Sequence, residues 1–154
     1  KTALKKMLLT DKYLGENTQI VWLPWDKSDV LGHTDGILHF IDINSEGKAR
    51  VLVNLYGYEA DMAIQMRAIL EKHFEVIDLQ LNEYPDDSWA YINFLQTSKV
   101  IIAPGLGLQT DEEALAQIKA LFPEYGDRIY MVNLAKIIKK WGGALNCLTW
   151  TRTK

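Results

Sequence analysis

The chain has 154 residues, of which 48% are hydrophobic and 24% are charged, and its formal net charge is -3 at pH 7. This length fits a single domain, 1–154, and the mildly acidic charge argues against a nucleic-acid partner. The single cysteine excludes an internal disulfide framework and a zinc site built from several cysteines. No apolar run reaches membrane-spanning length, and no signal peptide is visible. We therefore expect a cytoplasmic protein with no membrane partner, no metal and no cofactor.

Hydrophobic periodicity divides the first half of the chain into alternating helices and strands. The predicted helices are 2–14 and 59–73, and the predicted strands are 19–23, 37–41, 49–55 and 74–81. The segment 26–36, between the first two strands, is polar and rich in glycine. Such loops commonly carry binding groups.

The second half repeats this order. The predicted strands are 89–95, 100–103, 128–132 and 144–150, and the predicted helices are 110–122 and 134–140. Thr110 and Glu113 have the spacing of a capping box at the start of the first of these helices. The pattern is a ββαβ unit that repeats after roughly 50 residues, which is typical of radial or stacked repeats. We therefore expect an α/β fold that forms a portion of a larger ring.

Two glycine-bearing stretches carry the residues suited to chemistry. The only cysteine, Cys147, follows a glycine pair in a short apolar run that is predicted as a buried strand. His33 and Asp35 lie between Gly32 and Gly36, and glycine lets a backbone approach a ligand closely. Side chains two positions apart in an extended chain leave the same face. We expect the fold to bring the two stretches together, so that a thiol nucleophile, an imidazole proton partner and a carboxylate clamp for a cation meet.

The combination of these groups matters more than any one of them. Taken alone, Cys147 is typical of a small buried hydrophobic residue, and His33 is typical of a loop residue. A carboxylate beside an imidazole favours the charged imidazole, which in turn favours the thiolate of a nearby cysteine. The sequence therefore predicts an activated thiolate.

Four short motifs occur in a recognisable order along nearly the whole chain. They are Trp22-Leu23-Pro24, Gly32-His33-Thr34-Asp35-Gly36, Tyr91-Ile92-Asn93-Phe94, and Gly142-Gly143 followed by Cys147 and Thr149. In this combination the sequence resembles the agmatine deiminase and bacterial-type peptidylarginine deiminase family, whose members modify guanidine groups and have the pentein fold.

The resemblance implies a five-bladed α/β propeller of ββαβ units, of which this chain would be the C-terminal portion, about two and a half blades. It implies that Cys147 attacks the guanidinium carbon to form a covalent thiouronium, that His33 protonates the departing ammonia and then activates water, and that Asp35 binds the guanidinium nitrogens. Asn93 matches a family position near the active site and is assigned to substrate binding. The implied substrate is a small-molecule or peptide guanidino compound (agmatine, arginine or peptidylarginine), and for agmatine the reaction would belong to putrescine biosynthesis.

Further candidates lie in the loop before His33. Gly32 is expected beside the substrate, and Trp25 is the tryptophan expected near a ligand. Asp29 is either a second acidic contact or a turn residue. Two features depart from the family pattern. Agmatine deiminases usually carry histidine directly before the nucleophile, whereas this chain has Asn146, and they continue past the cysteine with a glutamine-rich segment, whereas this chain reads Thr149-Trp150-Thr151-Arg152-Thr153-Lys154.

Two other functions remain open on the sequence alone. The first is a different cysteine–histidine hydrolase, such as a peptidase, since geometry rather than chain order defines such sites. The orientation of Asp35 distinguishes this function from a deiminase. A carboxylate that faces the substrate cavity favours a guanidinium substrate, whereas one that lies behind His33 favours a catalytic triad. The second is a non-catalytic fragment whose exposed sheet edges bind a partner's strands, with self-association or pairing to N-terminal blades as the expected consequence.

Overall fold

The computed structural model describes residues 2–10, 14–15, 17–27, 29 and 32–150. Helix α1 (Thr2–Leu8) is followed by two units with the same order of elements: strand, strand, helix, strand. The first unit consists of β1 (Leu38–Ile43), β2 (Ala49–Val53), α2 (Ala60–His73) and β3 (Glu75–Asp78). The second consists of β4 (Leu95–Gln96), β5 (Ile101–Gly105), α3 (Thr110–Leu121) and β6 (Ile129–Asn133). Helices α4 (Ala135–Trp141) and α5 (Leu145–Leu148) come after the second unit.

Each unit contains its own three-stranded sheet, with the second strand of the unit in the middle. β2 pairs antiparallel with β1 and parallel with β3, and β5 pairs antiparallel with β4 and parallel with β6. The parallel pairs require a crossover connection, which α2 and α3 provide. The predicted α/β class and the predicted ββαβ repeat are therefore confirmed.

The hydrophobic core extends through both units. Leu52 and Leu79 of the first unit belong to the same buried cluster as Ile101 and Ile118 of the second. Between the units, a 3-10 segment at Asp86–Ile92 places further wholly buried side chains in this cluster. Burying one such large apolar side chain stabilises a fold by about 1.5–3 kcal/mol. The segment that joins the two units is therefore part of the core rather than a linker.

Each long helix buries one face, as its sequence spacing predicts. In α2 the buried residues are Met66 and Leu70, and in α3 Ala114 and Ile118 are buried at the same spacing of four. Residues four apart lie on one face of a helix, so these pairs face the core. Among the described residues, no helix combines the length and the apolar character needed to cross a membrane.

Three predicted strands are wrong. The run 144–150 forms helix α5 instead, the run 89–95 is mostly the 3-10 segment, and the run 19–23 has no regular secondary structure. Short apolar runs look alike in a buried strand and in a buried helix turn. A strand also needs a neighbour to accept its hydrogen bonds, and the amide of Asn146 in α5 donates to the carbonyl of Asn93, 3.1 Å away, instead of to a strand.

The start of helix α3 also differs from the prediction. Thr110 makes no capping hydrogen bond, since its hydroxyl pairs with the hydroxyl of Tyr91 (2.8 Å), and Glu113 accepts hydrogen bonds from Asn82. The loop before α3 is instead held by Asp111, whose carboxylate accepts two backbone N–H groups of that loop at 2.8 Å each. The predicted capping box is therefore wrong.

The first helix is shorter than predicted. Helix α1 ends at Leu8, whereas the prediction extended to residue 14. Residues 11–13 of that prediction lie outside the described residues, as do residues 28, 30 and 31 of the predicted binding loop.

Candidate active site

The two glycine-bearing stretches meet, although more than 110 positions separate them. The Sγ atom of Cys147, on α5, lies 3.1 Å from Oδ2 of Asp35, with a separation of 112 positions in the sequence. Asp35 belongs to a single 3-10 turn, Thr34–Gly36, directly before β1. The predicted convergence of the thiol and the carboxylate is therefore present in the structure.

Local geometry places Cys147 at the first turn after α4. Gly142 ends α4 in the left-handed conformation, with φ of 66°, a conformation that glycine adopts without strain. Ala144 then anchors the chain in the core, where it is wholly buried. The following turn, α5, presents the cysteine side chain toward Asp35.

Asn93 connects the thiol to the rest of the site. Its side chain is 0% exposed. Its Nδ2 lies 3.3 Å from Sγ of Cys147 and 3.3 Å from the carbonyl oxygen of Asp35, and its Oδ1 accepts the amide of Cys147 at 3.3 Å. The sequence assigned Asn93 to substrate binding, but the structure buries it behind the thiol. Its contacts hold Cys147 and Asp35 in place.

His33 lies between two carboxylates at the edge of the site. Its Nδ1 is 3.8 Å from Oδ1 of Asp35, and its Nε2 is 4.0 Å from Oδ1 of Asp29, with 46% of its side chain exposed. The carboxylate of Asp29 accepts the backbone amides of Gly32 (3.0 Å) and His33 (2.6 Å). Asp29 thus organises the turn that carries His33, and it also borders the cavity described below.

Trp25 and Gly32 lie beside a second groove rather than in front of the thiol. The indole N–H of Trp25 donates to the carbonyl of Asp29 at 2.9 Å, and the Trp25 side chain is largely exposed. Both residues border an apolar groove of about 520 Å³ next to the site, rather than the cavity that contains Cys147. The contact of these two residues with a ligand therefore stays a prediction.

A cavity of about 290 Å³ opens in front of the thiol. Four aspartates border it, and no lysine or arginine is among the described residues that do so. The lining residues are Asp26, Asp29, His33, Asp35, Gly36, Asn54, Gly57, Tyr58, Asp86, Ser88, Trp89, Gly142 and Cys147. Sequence reasoning missed Tyr58 and Asp86, which follow β2 and start the 3-10 segment; no motif marks either residue. The cavity is suited to a cation.

Burial and hydrogen bonds set the proton affinities in this cavity. Burial raises the pKa of Asp35, but hydrogen bonds from Cys147, Asn146 and Asn93 outweigh it, so the pKa lies below its usual value. Asn146 contributes through its Nδ2, 3.0 Å from Oδ2 of Asp35. Burial, with the nearby charges of Asp29 and Asp26, raises the pKa of Tyr58 to about 12.

The thiol itself is not activated in this arrangement. Burial raises the pKa of Cys147, and the hydrogen bond to Asp35 raises it further. The sequence predicted a thiolate favoured by a charged imidazole. That prediction is wrong for the site as it stands, because the group next to Sγ is a carboxylate rather than the imidazole.

The same three groups form a set of possible metal ligands. His33, Asp35 and Cys147 each offer one ligand atom, and these atoms lie within 4.8 Å of one another. The arrangement can therefore bind a cation in either of two ways, by ion pairing with the carboxylate or by direct coordination.

Comparison with known proteins identifies the family and the fold of this chain. The family model described as Porphyromonas-type peptidyl-arginine deiminase matches residues 6–152. A search of curated protein sequences finds no match.

Solved structures resemble the whole chain. An agmatine deiminase of C. jejuni superimposes with a TM-score of 0.68 at 23% identity, over 96% of this chain and 45% of that chain. An agmatine deiminase of Enterococcus faecalis gives a TM-score of 0.67 at 22% identity, over 96% and 47% of the two chains. An amidinotransferase from Microseira wollei, in the saxitoxin pathway, gives 0.53 at 18% identity, over 95% and 36%.

These matches fix the fold. The similar structures are pentein-fold deiminases and amidinotransferases, so the predicted pentein-type α/β propeller is confirmed as the fold of which this chain forms a part. The chain spans less than half the length of the structures that it matches.

Proposed function

This chain belongs to the Porphyromonas-type peptidyl-arginine deiminase family, and we propose on that premise that it hydrolyses a guanidino group to a ureido group and ammonia. The observation that supports this proposal most strongly is the meeting of Cys147, Asp35 and His33 at an acidic cavity. In this proposal the chain is the thiol-bearing C-terminal portion of the enzyme.

The reaction proceeds in two halves. The thiol proton of Cys147 passes to His33 as the sulfur attacks the guanidinium carbon, and the C–N bond then breaks as His33 gives this proton to the departing nitrogen, which leaves as ammonia. A thiouronium then joins the substrate carbon to Sγ. His33 takes a proton from water as the water oxygen attacks the same carbon. The C–S bond then breaks, His33 gives its proton to the sulfur, the second water proton is taken up by the released ammonia, and the ureido product departs.

Substrate binding supplies the activation that the free thiol lacks. A guanidinium is planar and suits a carboxylate, so it pairs with Asp35 through charge-assisted hydrogen bonds. The thiol then loses its carboxylate acceptor and gains a neighbouring positive charge. Both changes favour the thiolate. Binding of the cationic substrate thus activates the thiol that attacks it.

The lining of the cavity favours a substrate with a second positive charge. Besides Asp35, three aspartates border it, Asp26, Asp29 and Asp86. A compound with an ammonium at its far end, such as agmatine, matches this charge, whereas the α-carboxylate of arginine would meet negative groups. We therefore assign the chain to guanidino-alkylamine substrates ahead of free arginine.

The position of Asp35 argues against the triad alternative. In a triad the carboxylate holds the imidazole from behind through a hydrogen bond. Here Oδ1 of Asp35 is 3.8 Å from Nδ1 of His33, beyond hydrogen-bond distance, and its other oxygen faces the thiol in the cavity. This geometry suits a carboxylate that binds substrate.

Ammonia release from agmatine, arginine and arginyl peptides tests the proposal. We expect release from agmatine to be the fastest, and to vanish in Cys147→Ala while persisting in the matched variant Leu148→Ala, which alters an exposed neighbour. Absence of release from all three compounds, in a chain that is folded by circular dichroism, would overturn it.

A further inference from the structure

We propose that His33, Asp35 and Cys147 form a binding site for a thiophilic divalent metal ion, represented by Zn²⁺, and that the bound ion reversibly blocks the thiol. The ligand atoms of these three residues lie within 4.8 Å of one another. They are a thiol sulfur, an imidazole nitrogen and a carboxylate oxygen, which are the three ligand types that Zn²⁺ takes in proteins.

Two of the separations between ligand atoms lie within about 0.2 Å of those in a tetrahedral zinc site. Zinc bond lengths place neighbouring ligand atoms roughly 3.3–3.6 Å apart. Sγ of Cys147 is 3.1 Å from Oδ2 of Asp35, and Nδ1 of His33 is 3.8 Å from Oδ1 of the same carboxylate. Binding of one ion therefore requires side-chain rotation that closes separations of up to 4.8 Å, and it leaves the fourth position for water.

Neighbouring amide groups already contact two of the ligands. Nδ2 of the wholly buried Asn93 lies 3.3 Å from Sγ, and Nδ2 of Asn146 lies 3.0 Å from Oδ2 of Asp35. Donors of this kind orient metal ligands and steady their negative charge, and their removal usually weakens metal binding. This second set of contacts is independent of the spacing of the ligands themselves.

The ion has a route to the site and a proton to displace. His33 and Asp35 are partly exposed, with 46% and 34% of their side chains accessible, and they border the open cavity. Binding forms an S–Zn bond, and the thiol proton that now points at Asp35 leaves to solvent. The metal thus takes the place of that proton.

A metal-bound sulfur of Cys147 cannot act as a nucleophile. The sulfur pair that would attack a guanidinium carbon is donated to the metal, and Asp35 is no longer available to a cationic substrate. This last step rests on the proposed function, whereas metal binding does not. Removal of the ion by a chelator restores the free thiol, so the block is reversible.

The test measures metal binding directly on the chain. Zn²⁺ is titrated into metal-free protein against a chromogenic chelator, and Co²⁺ is used to detect the thiolate-to-cobalt absorption band. We expect one ion per chain and the band in the wild type. Affinity should fall by more than about 10-fold in Cys147→Ala and in His33→Ala, and by about 10-fold in Asn146→Ala.

Matched variants separate this site from adventitious binding. His73→Ala and Asp86→Asn remove a histidine and a cavity carboxylate outside the ligand set, and both should bind as the wild type does. Equal affinity in the wild type and in Cys147→Ala or His33→Ala, or absence of the cobalt band, would overturn the metal site.

Ammonia release separates the two proposals. If the chain binds Zn²⁺ as expected but releases no ammonia without metal, the proposed function fails and the metal site stands. If ammonia release is unaffected by one equivalent of Zn²⁺, the metal proposal fails and the function stands.

Discussion

The thiol of Cys147 donates a hydrogen bond to Oδ2 of Asp35 over 3.1 Å. This contact couples the proton of the nucleophile to the carboxylate that faces the cavity. It keeps the thiol protonated while the cavity lacks a cation, and it keeps the carboxylate charged and ready for one. A single hydrogen bond thus accounts for part of both pKa shifts, upward for the thiol and downward for the carboxylate.

Replacing Asp35 should make the thiol more acidic. Burial raises the pKa of Cys147, and the hydrogen bond and negative charge of Asp35 raise it further. Asp35→Asn removes the charge, so we expect the pH midpoint of iodoacetamide alkylation at Cys147 to move to lower pH. Asp86→Asn is the control, since it removes a different carboxylate from the same cavity, and its alkylation midpoint should stay close to that of the wild type. An unmoved midpoint in Asp35→Asn would show that burial alone raises the pKa.

Asn146 should act on Asp35 as a positioning residue. Burial raises the pKa of Asp35, and hydrogen bonds from Cys147, Asn146 and Asn93 lower it below its usual value. Asn146→Ala removes one donor, so the pKa of Asp35 should rise, as measured by carbon-detected NMR titration. Leu148→Ala, on the same short helix, should leave the titration as in the wild type.

Asn146→Ala should also have a pH-dependent effect on stability. A carboxylate with a lowered folded pKa contributes stability that is present above its unfolded pKa, about 3.9, and is lost as pH falls through the folded value. The difference in free energy of unfolding between wild type and Asn146→Ala should therefore be larger at pH 7 than at pH 3. A difference that is the same at both values in urea unfolding would contradict this role.

Loss of the Asn93 side chain should destabilise the fold. In Asn93→Ala the amide of Cys147 loses its acceptor in a part-buried site, and a cavity replaces a wholly buried side chain. An unsatisfied buried group costs about 1–3 kcal/mol, so urea unfolding should show a loss of this size. Asn17→Ala alters an exposed asparagine and should change the free energy by less than about 0.5 kcal/mol. An equal change in the free energy of unfolding in the two variants would show that Asn93 does not stabilise the fold.

His39 should make the fold sensitive to mild acid. Burial lowers the pKa of His39, against hydrogen bonds with Gln96 and the carbonyl of Ile92, and the ring stacks on Phe94 at 3.6 Å. The unfolded chain therefore binds a proton at higher pH than the folded one. The stability that the neutral ring contributes is present above the unfolded pKa, about 6.5, and is lost as pH falls from there toward the lowered folded value.

Urea unfolding at pH 7.5 and pH 5.5 checks this. The wild type should lose free energy of unfolding between the two values, and His39→Gln should lose less. His73→Gln is the matched control, because His73 lies at the end of α2, and it should keep the wild-type decline. If the free energy of unfolding falls as steeply in His39→Gln as in the wild type, another group causes the sensitivity to acid.

Much of the fold could be predicted from local pattern. The hairpin strands, α2, α3, β6 and α4 are found within a few residues of the predicted bounds, because each has a clear period of its own or a turn at its end. The ββαβ repeat followed from their order. The apolar runs at 19–23, 89–95 and 144–150 carried no such information, since partners elsewhere in the chain decide between strand, turn and helix.

Within the site, the sequence alone determined which residue types are available: one cysteine, and a histidine and an aspartate bounded by glycines. Their convergence could be expected because the chain has only one cysteine and because the motifs resemble those of the family. Only the tertiary structure decided that Asn93 lies behind the thiol, that Tyr58 and Asp86 border the cavity, and that a carboxylate rather than the imidazole contacts Sγ. The physical reason is that burial and hydrogen-bond partners, which set pKa values and exposure, arise from contacts between residues far apart in the chain, and a linear pattern does not contain those distances.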